Sequence, residues 1–202
     1  MQGLVLHSYR RCPFAIRVRM VLEEKGIPYH TIEESLSEPS AALLKLNPAG
    51  SVPVLIHDGN SMIESAVITE YLDETFPEIR LMPQAPLEKA RVRLWTRWCD
   101  AQFKPDLDLY KYEWPRLTPE LQQELLTRML DHLGRLTGAL QKSDFLMGQD
   151  LTLADIHVFP FYRQLSALKS EVIALKDFPE VNAWLERILN RPSFQRVIEK
   201  KS

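Results

Sequence analysis

The sequence predicts a small α/β domain joined to an all-helical domain, and three features of its hydrophobic pattern support this prediction. Strand and helix signals alternate over roughly the first eighty residues. Residues 76–86 then contain three prolines, which is typical of a connecting segment. Beyond this segment, most apolar residues recur with the helical period. We therefore predict an α/β domain at 1–77, a linker at 78–86 and an all-α helical domain at 87–202.

The first domain is expected to run strand, helix, strand, helix, hairpin, helix. The short apolar run Leu4–Leu6 is suited to a buried strand, and Pro13 opens a helix that continues to Glu24. Lys25 and Gly26 then form a typical helix end. The remaining elements are a second strand, a short helix, a hairpin and a last helix capped by Ser65, at 29–33, 40–46, 54–63 and 65–76.

The second domain is expected to contain helices only. Its first helix, 87–104, should end before Pro105, because proline has no amide hydrogen and disrupts a helix interior. Thr152 and Asp155 fit a capping box, a structural role whose loss costs about 0.5–2 kcal/mol. The other long helices are predicted at 119–140, 152–166 and 179–190.

The composition excludes several classes of protein. The 202 residues carry 25 basic and 27 acidic side chains, a formal net charge of −2, which argues against nucleic acid or an anionic membrane as a partner. No stretch reaches the roughly 18–20 apolar residues of a membrane span, and the first residues lack the layout of a signal peptide. The five histidines show no metal-ligand spacing, so no metal is expected.

The two cysteines are expected to have different roles. A disulfide framework is not expected from Cys12 and Cys99 alone, and we expect a cytoplasmic protein with reduced thiols. Cys99 lies in the middle of a predicted helix and is expected to be a packing residue. Cys12 directly precedes Pro13, which is tolerated only in the first turn of a helix. Cys12 is therefore predicted at the helix N-cap.

A thiol at this N-cap is the strongest candidate for chemistry in the sequence. Free backbone amides and the positive end of the helix dipole stabilise a thiolate there, and Arg10, Arg11 and Arg17 add positive charge. We therefore expect a lowered thiol pKa and a nucleophilic Cys12. Ala15 stands where a Cys-x-x-Cys motif has its second cysteine, so any thiol–disulfide exchange must use one protein thiol and an external one.

Two later segments could bind a peptide that carries a thiol. Pro53 lies between a loop and a strand, where a cis bond would expose the backbone of Val52 to an extended ligand. Ser65, at a helix start, offers a hydroxyl and backbone amides to a carboxylate, and Glu64 could accept from an ammonium group. In the order found here, after Cys12, these segments favour a binding site over purely structural roles.

These segments resemble the cytosolic glutathione transferases, and most closely their cysteine-type omega class. The resemblance is carried by Tyr-Arg-Arg-Cys-Pro-Phe-Ala at 9–15, Val-Pro-Val-Leu at 52–55 and Ile-Glu-Ser-Ala at 63–66. The capping-box segment 152–155 adds to it in the helical domain. The similarity covers essentially the whole chain. It implies the glutathione transferase fold, with a thioredoxin-like α/β N-terminal domain and an all-α C-terminal domain, and a homodimer.

The resemblance also implies a role for each matching residue. Cys12 would be the catalytic residue that forms a mixed disulfide with glutathione, the co-substrate. Phe14 would pack beside the thiol, and the Val52 backbone, next to cis Pro53, would pair with the cysteinyl part of glutathione. Glu64 and Ser65 would hold the γ-glutamyl end. The glutathione-binding residues would thus be Phe14, Val52, Pro53, Glu64 and Ser65.

One segment departs from the omega pattern. The family's lysine that contacts the glycine end of glutathione is absent from residues 37–40, which leaves that contact unassigned. In the helical domain, Tyr110, Tyr112 and Trp114 cluster near a predicted helix break. They either line a co-substrate pocket, with Tyr110 and Trp114 as its candidate residues, or belong to the core.

Three functional hypotheses follow. The leading one is a glutathione-dependent thiol transferase or reductase of the omega type, acting on a small disulfide or on dehydroascorbate through Cys12. The second is conjugation of glutathione to electrophiles, or a zeta-like isomerisation, in which Ser8 or Tyr9 assists the glutathione thiolate. The third is a non-catalytic regulatory protein that keeps the glutathione transferase fold.

Overall fold

The protein consists of two compact units. A computed structural model describes residues 3–168 and 172–199. The first unit comprises Met1–Met82 together with Asn190–Ser202, and the second comprises Pro83–Leu189. The division at Met82 therefore falls inside the segment predicted as a linker. The chain thus returns to the first unit at Asn190, whereas the helical domain was predicted to extend to the last residue.

The last helix belongs to the first unit because of its contacts with the first helix. Helix α1 spans Pro13–Glu24, and α9 spans Pro192–Ile198 and packs against it. Glu24 of α1 accepts two hydrogen bonds from the Arg191 guanidinium, at 2.6 and 2.7 Å, and a third from the Ser193 hydroxyl. This pairing joins residues far apart in sequence, so local patterns could not predict it.

A mixed four-stranded sheet organises the first unit. Its spatial order is β2-β1-β3-β4, with β1 parallel to β2 and antiparallel to β3, and β3 antiparallel to β4. Both strands of the predicted hairpin are present, and the second strand lies where it was predicted. The strands are β1 Leu4–Ser8, β2 Tyr29–Glu33, β3 Val54–His57 and β4 Asn60–Met62.

Two more helices complete this unit, and one of them begins differently from the prediction. Helix α2 spans Ala41–Leu46, and the Ser40 hydroxyl caps it by accepting a hydrogen bond from the Leu43 amide at 3.1 Å. Helix α3 spans Ser65–Thr75. Ser65 was predicted as its cap, but Glu64 is the N-cap residue and Ser65 is the first helical residue. The Ser65 side chain is therefore available for other contacts.

The second unit is all-helical within its described residues. Its capping box is present as predicted: Thr152 accepts a hydrogen bond from the Ala154 amide, and Asp155 accepts one from the Thr152 amide. In the described parts of the chain, no helix is long and apolar enough to cross a membrane. The α-helices are α4 Pro86–Trp98, α5 Lys104–Asp108, α6 Pro119–Leu140, α7 Leu153–Ser166 and α8 Pro179–Leu189.

The prediction that the first of these helices stops before Pro105 is wrong. A π-helical turn at Cys99–Phe103 follows α4, and the helical path continues through α5, which contains Pro105, into a second π-helical turn at Leu109–Glu113. Proline clashes with the carbonyl four residues earlier in a regular α-helix. A wider π turn just before it changes this spacing, and such turns occur where a helix bends.

Candidate functional site

Cys12 lies at the N-cap of α1, as the sequence predicted. Its backbone is extended, with φ −68° and ψ 121°, and Pro13 occupies the first turn. The Cys12 amide donates to the Tyr9 carbonyl at 3.0 Å, which closes the turn between β1 and α1. The side chain is half-buried and packs against a small apolar cluster that includes Ala15 and Val52. The thiol therefore sits at the end of the sheet, beside the loop that precedes β3.

The expectation that the Cys12 thiol has a lowered pKa is wrong for this structure. Burial raises the pKa of Cys12 and outweighs the lowering by the Ala15 and Phe14 amides and by the charges of Arg19 and Arg17. The sulfur also lies 3.7 Å from the Val52 carbonyl oxygen, to which the thiol donates. A hydrogen bond from the thiol favours its protonated form. The sequence showed the donors and charges but not the burial.

This result predicts the pH dependence of Cys12 alkylation. Because the folded thiol has a raised pKa, its thiolate forms only as the pH rises. We therefore expect the alkylation rate to reach half of its maximum at a pH above about 8.5, the pKa of a free cysteine. The measurement is the rate of iodoacetamide labelling at Cys12, followed by mass spectrometry from pH 6 to 10. A rate that is already on its plateau at pH 7 would contradict a raised pKa.

The peptide bond between Val52 and Pro53 is cis, in agreement with the sequence prediction. Val52 is 7% exposed, and its carbonyl is the acceptor of the Cys12 thiol described above. The preceding loop is held by Asn47, whose side-chain amide donates to the Ser51 carbonyl and hydroxyl, both at 2.9 Å. A ligand that pairs with the Val52 backbone would therefore lie next to the thiol.

Glu64 and Ser65 form an unusual turn at the start of α3. Glu64 has a positive φ of 68°, a conformation that is uncommon for residues other than glycine and that clusters at functional sites. Ser65 is 5% exposed, and its hydroxyl accepts a hydrogen bond from Arg17 at 3.2 Å. The exposed Glu64 side chain and the first amides of α3 thus lie together at one end of the helix.

Arg17 connects this turn to the region around the thiol. Its side chain is fully buried, and its guanidinium lies 5.0 Å from the centre of the Phe14 ring while donating to Ser65. Its charge also lowers the pKa of Cys12. From the sequence, Arg17 was expected only as a charge near Cys12, and its contact with Ser65 was not predicted. Phe14 and Arg17 are three residues apart and therefore on one face of α1, a signal for their mutual contact but not for the contact with Ser65.

A second buried network, which was not predicted from the sequence, holds the start of α2. The Glu34 carboxylate is hydrogen-bonded to the His7 ring at 2.7 Å and accepts from the Ser40 hydroxyl and amide at 2.9 and 3.1 Å. Burial raises the pKa of Glu34, but these hydrogen bonds outweigh it and leave the pKa below its usual range. The network positions the segment in which the omega-type lysine is absent.

The remaining sequence candidates lie in different surroundings. Tyr110 and Trp114 belong to the second unit, where their ring centres are 5.0 Å apart in an edge-to-face arrangement. Cys99 is fully buried, and its sulfur donates to the His157 carbonyl at 3.6 Å, as expected of a packing residue. Ser8 is also fully buried, and its hydroxyl has no hydrogen-bond partner among the described residues. In 3–168 and 172–199, no cluster of three or more potential ligands could hold a metal.

Comparison with known proteins decides the family. Residues 6–80 match the description "Glutathione S-transferase, N-terminal domain", and residues 106–192 match "Glutathione S-transferase, C-terminal domain". Glutathione S-transferase U2 of Arabidopsis thaliana is 35% identical over 185 residues, which cover 87% of this chain and 79% of that protein. The chain belongs to the glutathione S-transferase family. This confirms the resemblance stated from the sequence at the level of the family.

Two solved structures illustrate the breadth of the similarity. The β-etherase LigF from Sphingobium sp. strain SYK-6 superimposes with a TM-score of 0.85 and 26% identity, covering 99% of this chain and 100% of that chain. Glutathione transferase Omega 3C from Trametes versicolor gives a TM-score of 0.86 and 29% identity, covering 100% and 91%. The predicted glutathione S-transferase fold, a thioredoxin-like domain followed by an all-helical one, is therefore confirmed. The relatives belong to several classes of the family.

Proposed function

We propose that this glutathione transferase is of the cysteine type and acts as a monothiol thiol transferase. The single observation that carries the proposal is a half-buried Cys12 at the N-cap of α1, beside the Val52 carbonyl. Ala15 replaces a second cysteine, so the protein cannot form an internal Cys-x-x-Cys disulfide. The resemblance to an omega-class transferase supports the same assignment.

The proposed reaction exchanges thiols in two balanced steps. The Cys12 thiolate attacks the glutathione sulfur of a mixed disulfide, forms a Cys12–glutathione disulfide, and releases the other thiol as its thiolate, which takes up a proton. A second glutathione thiolate then attacks the bound glutathione sulfur. Oxidised glutathione leaves, and the Cys12 thiolate is restored. In total, one reduced glutathione is consumed for each mixed disulfide: its sulfur joins the glutathione sulfur of the substrate in one molecule of oxidised glutathione, and the other half of the substrate leaves as a thiol.

Different residues of the site would bind different parts of glutathione. We assign the cysteinyl part of glutathione to the Val52 backbone next to Pro53, and the γ-glutamyl end to Glu64 and Ser65. A glutathione amide that donates to the Val52 carbonyl would compete with the Cys12 thiol for that acceptor. Ligand binding would then remove one contact that favours the protonated thiol. The positive charges of Arg17 and Arg19 favour the thiolate throughout.

The experiment that tests this proposal is exposure to oxidised glutathione. We expect one glutathione adduct per chain, mapped by mass spectrometry to Cys12, because Cys99 is fully buried. The adduct should disappear when reduced glutathione is added. An adduct at Cys99 alone, or none at either cysteine in excess oxidised glutathione, would contradict the proposal.

Native mass spectrometry of the same samples tests the homodimer that we also propose, and a monomer at micromolar concentration would argue against it.

Conjugation of glutathione to an electrophile is the second candidate function. The raised pKa of the Cys12 thiol and the buried, unpartnered Ser8 hydroxyl at the end of β1 favour it. The Tyr9 hydroxyl accepts a hydrogen bond from Arg11 at 3.0 Å, which leaves its own O–H to donate to a glutathione thiolate. In this reaction glutathione itself is the nucleophile, and Cys12 is dispensable.

We also propose that the protein is cytoplasmic, and the location of a tagged full-length chain in its host cell tests this.

A further inference from the structure

A cavity of about 270 Å³ lies in the first unit and is lined by Arg10, Arg19, five residues of β2 and α9, and the residue that follows α9. Arg19 of α1, Tyr29 and Thr31 of β2, and Val197 of α9 line its inner part. Its volume is below the ~300–1,000 Å³ of pockets that hold drug-sized ligands, so it suits a smaller molecule. None of its lining residues is assigned to the binding of glutathione; Arg19 affects that site only through its charge, which lowers the pKa of Cys12.

Arg19 is a buried cation in an unusual setting. Its side chain is 6% exposed, and its guanidinium donates to three backbone carbonyls: Ala15 at 3.4 Å, Val197 at 2.9 Å and Arg10 at 2.5 Å. A guanidinium has five N–H groups, so two remain after these bonds. No carboxylate forms an ion pair with Arg19 among the described residues. The charge of Glu33 offsets only part of the cost of burying this cation, and an anion in the cavity would reduce that cost further.

The rim of the cavity carries charges of both signs. Arg10 and Arg196 are its basic residues, and Glu33 and Glu199 its acidic ones. Arg196 is already paired with a carboxylate, that of Glu23, at 2.6 Å. The Glu33 carboxylate accepts a hydrogen bond from the Arg10 amide at 2.7 Å and keeps further acceptor capacity. The cavity therefore offers donors at its inner end and free carboxylate oxygens at its mouth.

We propose that this cavity binds a free α-amino acid, whose carboxylate meets the Arg19 guanidinium and whose ammonium group meets Glu33 and Glu199. A carboxylate can accept two parallel hydrogen bonds from a guanidinium, the strongest geometry for this pair. Tyr29 and Thr31 line the cavity as well, and the Tyr29 hydroxyl donates a hydrogen bond to Glu23 at 3.1 Å. A larger anion would meet the two rim carboxylates, which repel it. The proposal does not depend on the thiol transferase assignment.

The test is a titration of the uniformly ¹⁵N-labelled full chain with glycine and with L-alanine, observed by NMR. We expect saturable shifts of the amides of Thr31, Glu33 and Val197. Sodium acetate and methylammonium chloride, each at matched ionic strength, supply one charged group apiece and should bind at least about tenfold more weakly. Absence of saturable shifts, shifts confined to other parts of the chain, or acetate binding as tight as that of glycine would overturn the proposal.

Variants of the lining residues make the test specific. Arg19→Gln removes the buried charge, and Thr31→Leu fills the cavity without touching Arg19. Each should weaken glycine binding at least about tenfold. Arg80→Gln removes an exposed guanidinium of the same unit outside the cavity and should leave binding unchanged. If Arg19→Gln fails to fold, Thr31→Leu decides alone: glycine affinity equal to that of the unmodified protein would overturn the proposal.

Discussion

Replacing Cys12 by alanine is expected to lower the rate of glutathione-dependent disulfide reduction by about 100-fold or more, a loss of at least about 2.7 kcal/mol of transition-state stabilisation. Alanine cannot form the mixed disulfide, and the described residues of the first unit place no other cysteine near the Val52 carbonyl. The measurement is kcat/KM with a small mixed disulfide of glutathione. The fold should persist, because the half-buried side chain makes one weak hydrogen bond.

Matched variants distinguish the loss of the Cys12 sulfur from a loss of the fold. Cys12→Ser keeps the size of the side chain but not the sulfur, so disulfide reduction should be as low as in Cys12→Ala. Cys99→Ala removes the other thiol and should retain activity, since that residue is buried in the second unit. Disulfide reduction that persists in both Cys12 variants would refute the thiol transferase assignment. Conjugation of an electrophile that persists in them would support the second candidate function.

Replacing Asp155 by alanine is expected to lower the free energy of unfolding by about 3–5 kcal/mol. Its fully buried carboxylate accepts hydrogen bonds from the Leu146 amide at 2.8 Å, the Thr152 amide at 2.9 Å and the Trp184 indole at 2.9 Å. Removing the acceptor leaves these donors buried and unsatisfied, at about 1–3 kcal/mol each. Burial raises the pKa of Asp155, and relief of this desolvation cost offsets part of the loss.

Urea unfolding followed by circular dichroism measures this effect. Asp155→Asn keeps one acceptor oxygen and should lose about half as much stability as the alanine variant. Asp150→Ala removes an exposed carboxylate five residues earlier and should change the free energy of unfolding by no more than about 0.5 kcal/mol. A loss below about 1 kcal/mol for Asp155→Ala would show that these three hydrogen bonds contribute little, contrary to the structure.

Features encoded in a few neighbouring residues could be predicted from the sequence. Pro13 defined the start of α1 because proline is restricted to the first turn of a helix. The capping box at Thr152 and Asp155 and the cis bond before Pro53 were likewise visible as local patterns. The strand pattern of the first domain followed from a short apolar run, from strand-like composition and from turn signals. The fold class was therefore accessible without any structural information.

Features that depend on distant segments could not be predicted in this way. The pKa of Cys12 was expected to be lowered because its arginines and amides are sequence neighbours, whereas its burial results from packing against the loop at Val52. The positive φ of Glu64 and the hydrogen bond from Arg17 to Ser65 depend on how α1 and α3 pack. Each of these properties depends on contacts between elements, which no single sequence pattern predicts.

The return of the chain to its first unit has a consequence for biosynthesis. Cys12, Val52 and Ser65 are translated early, but the unit that contains them also needs α9. The ribosome must first produce the whole of Pro83–Leu189, which takes of the order of 5–20 s at about 5–20 residues per second. During this interval the face of α1 that α9 covers is exposed to water. The segment that carries the thiol is thus made first, and the unit around it is completed last.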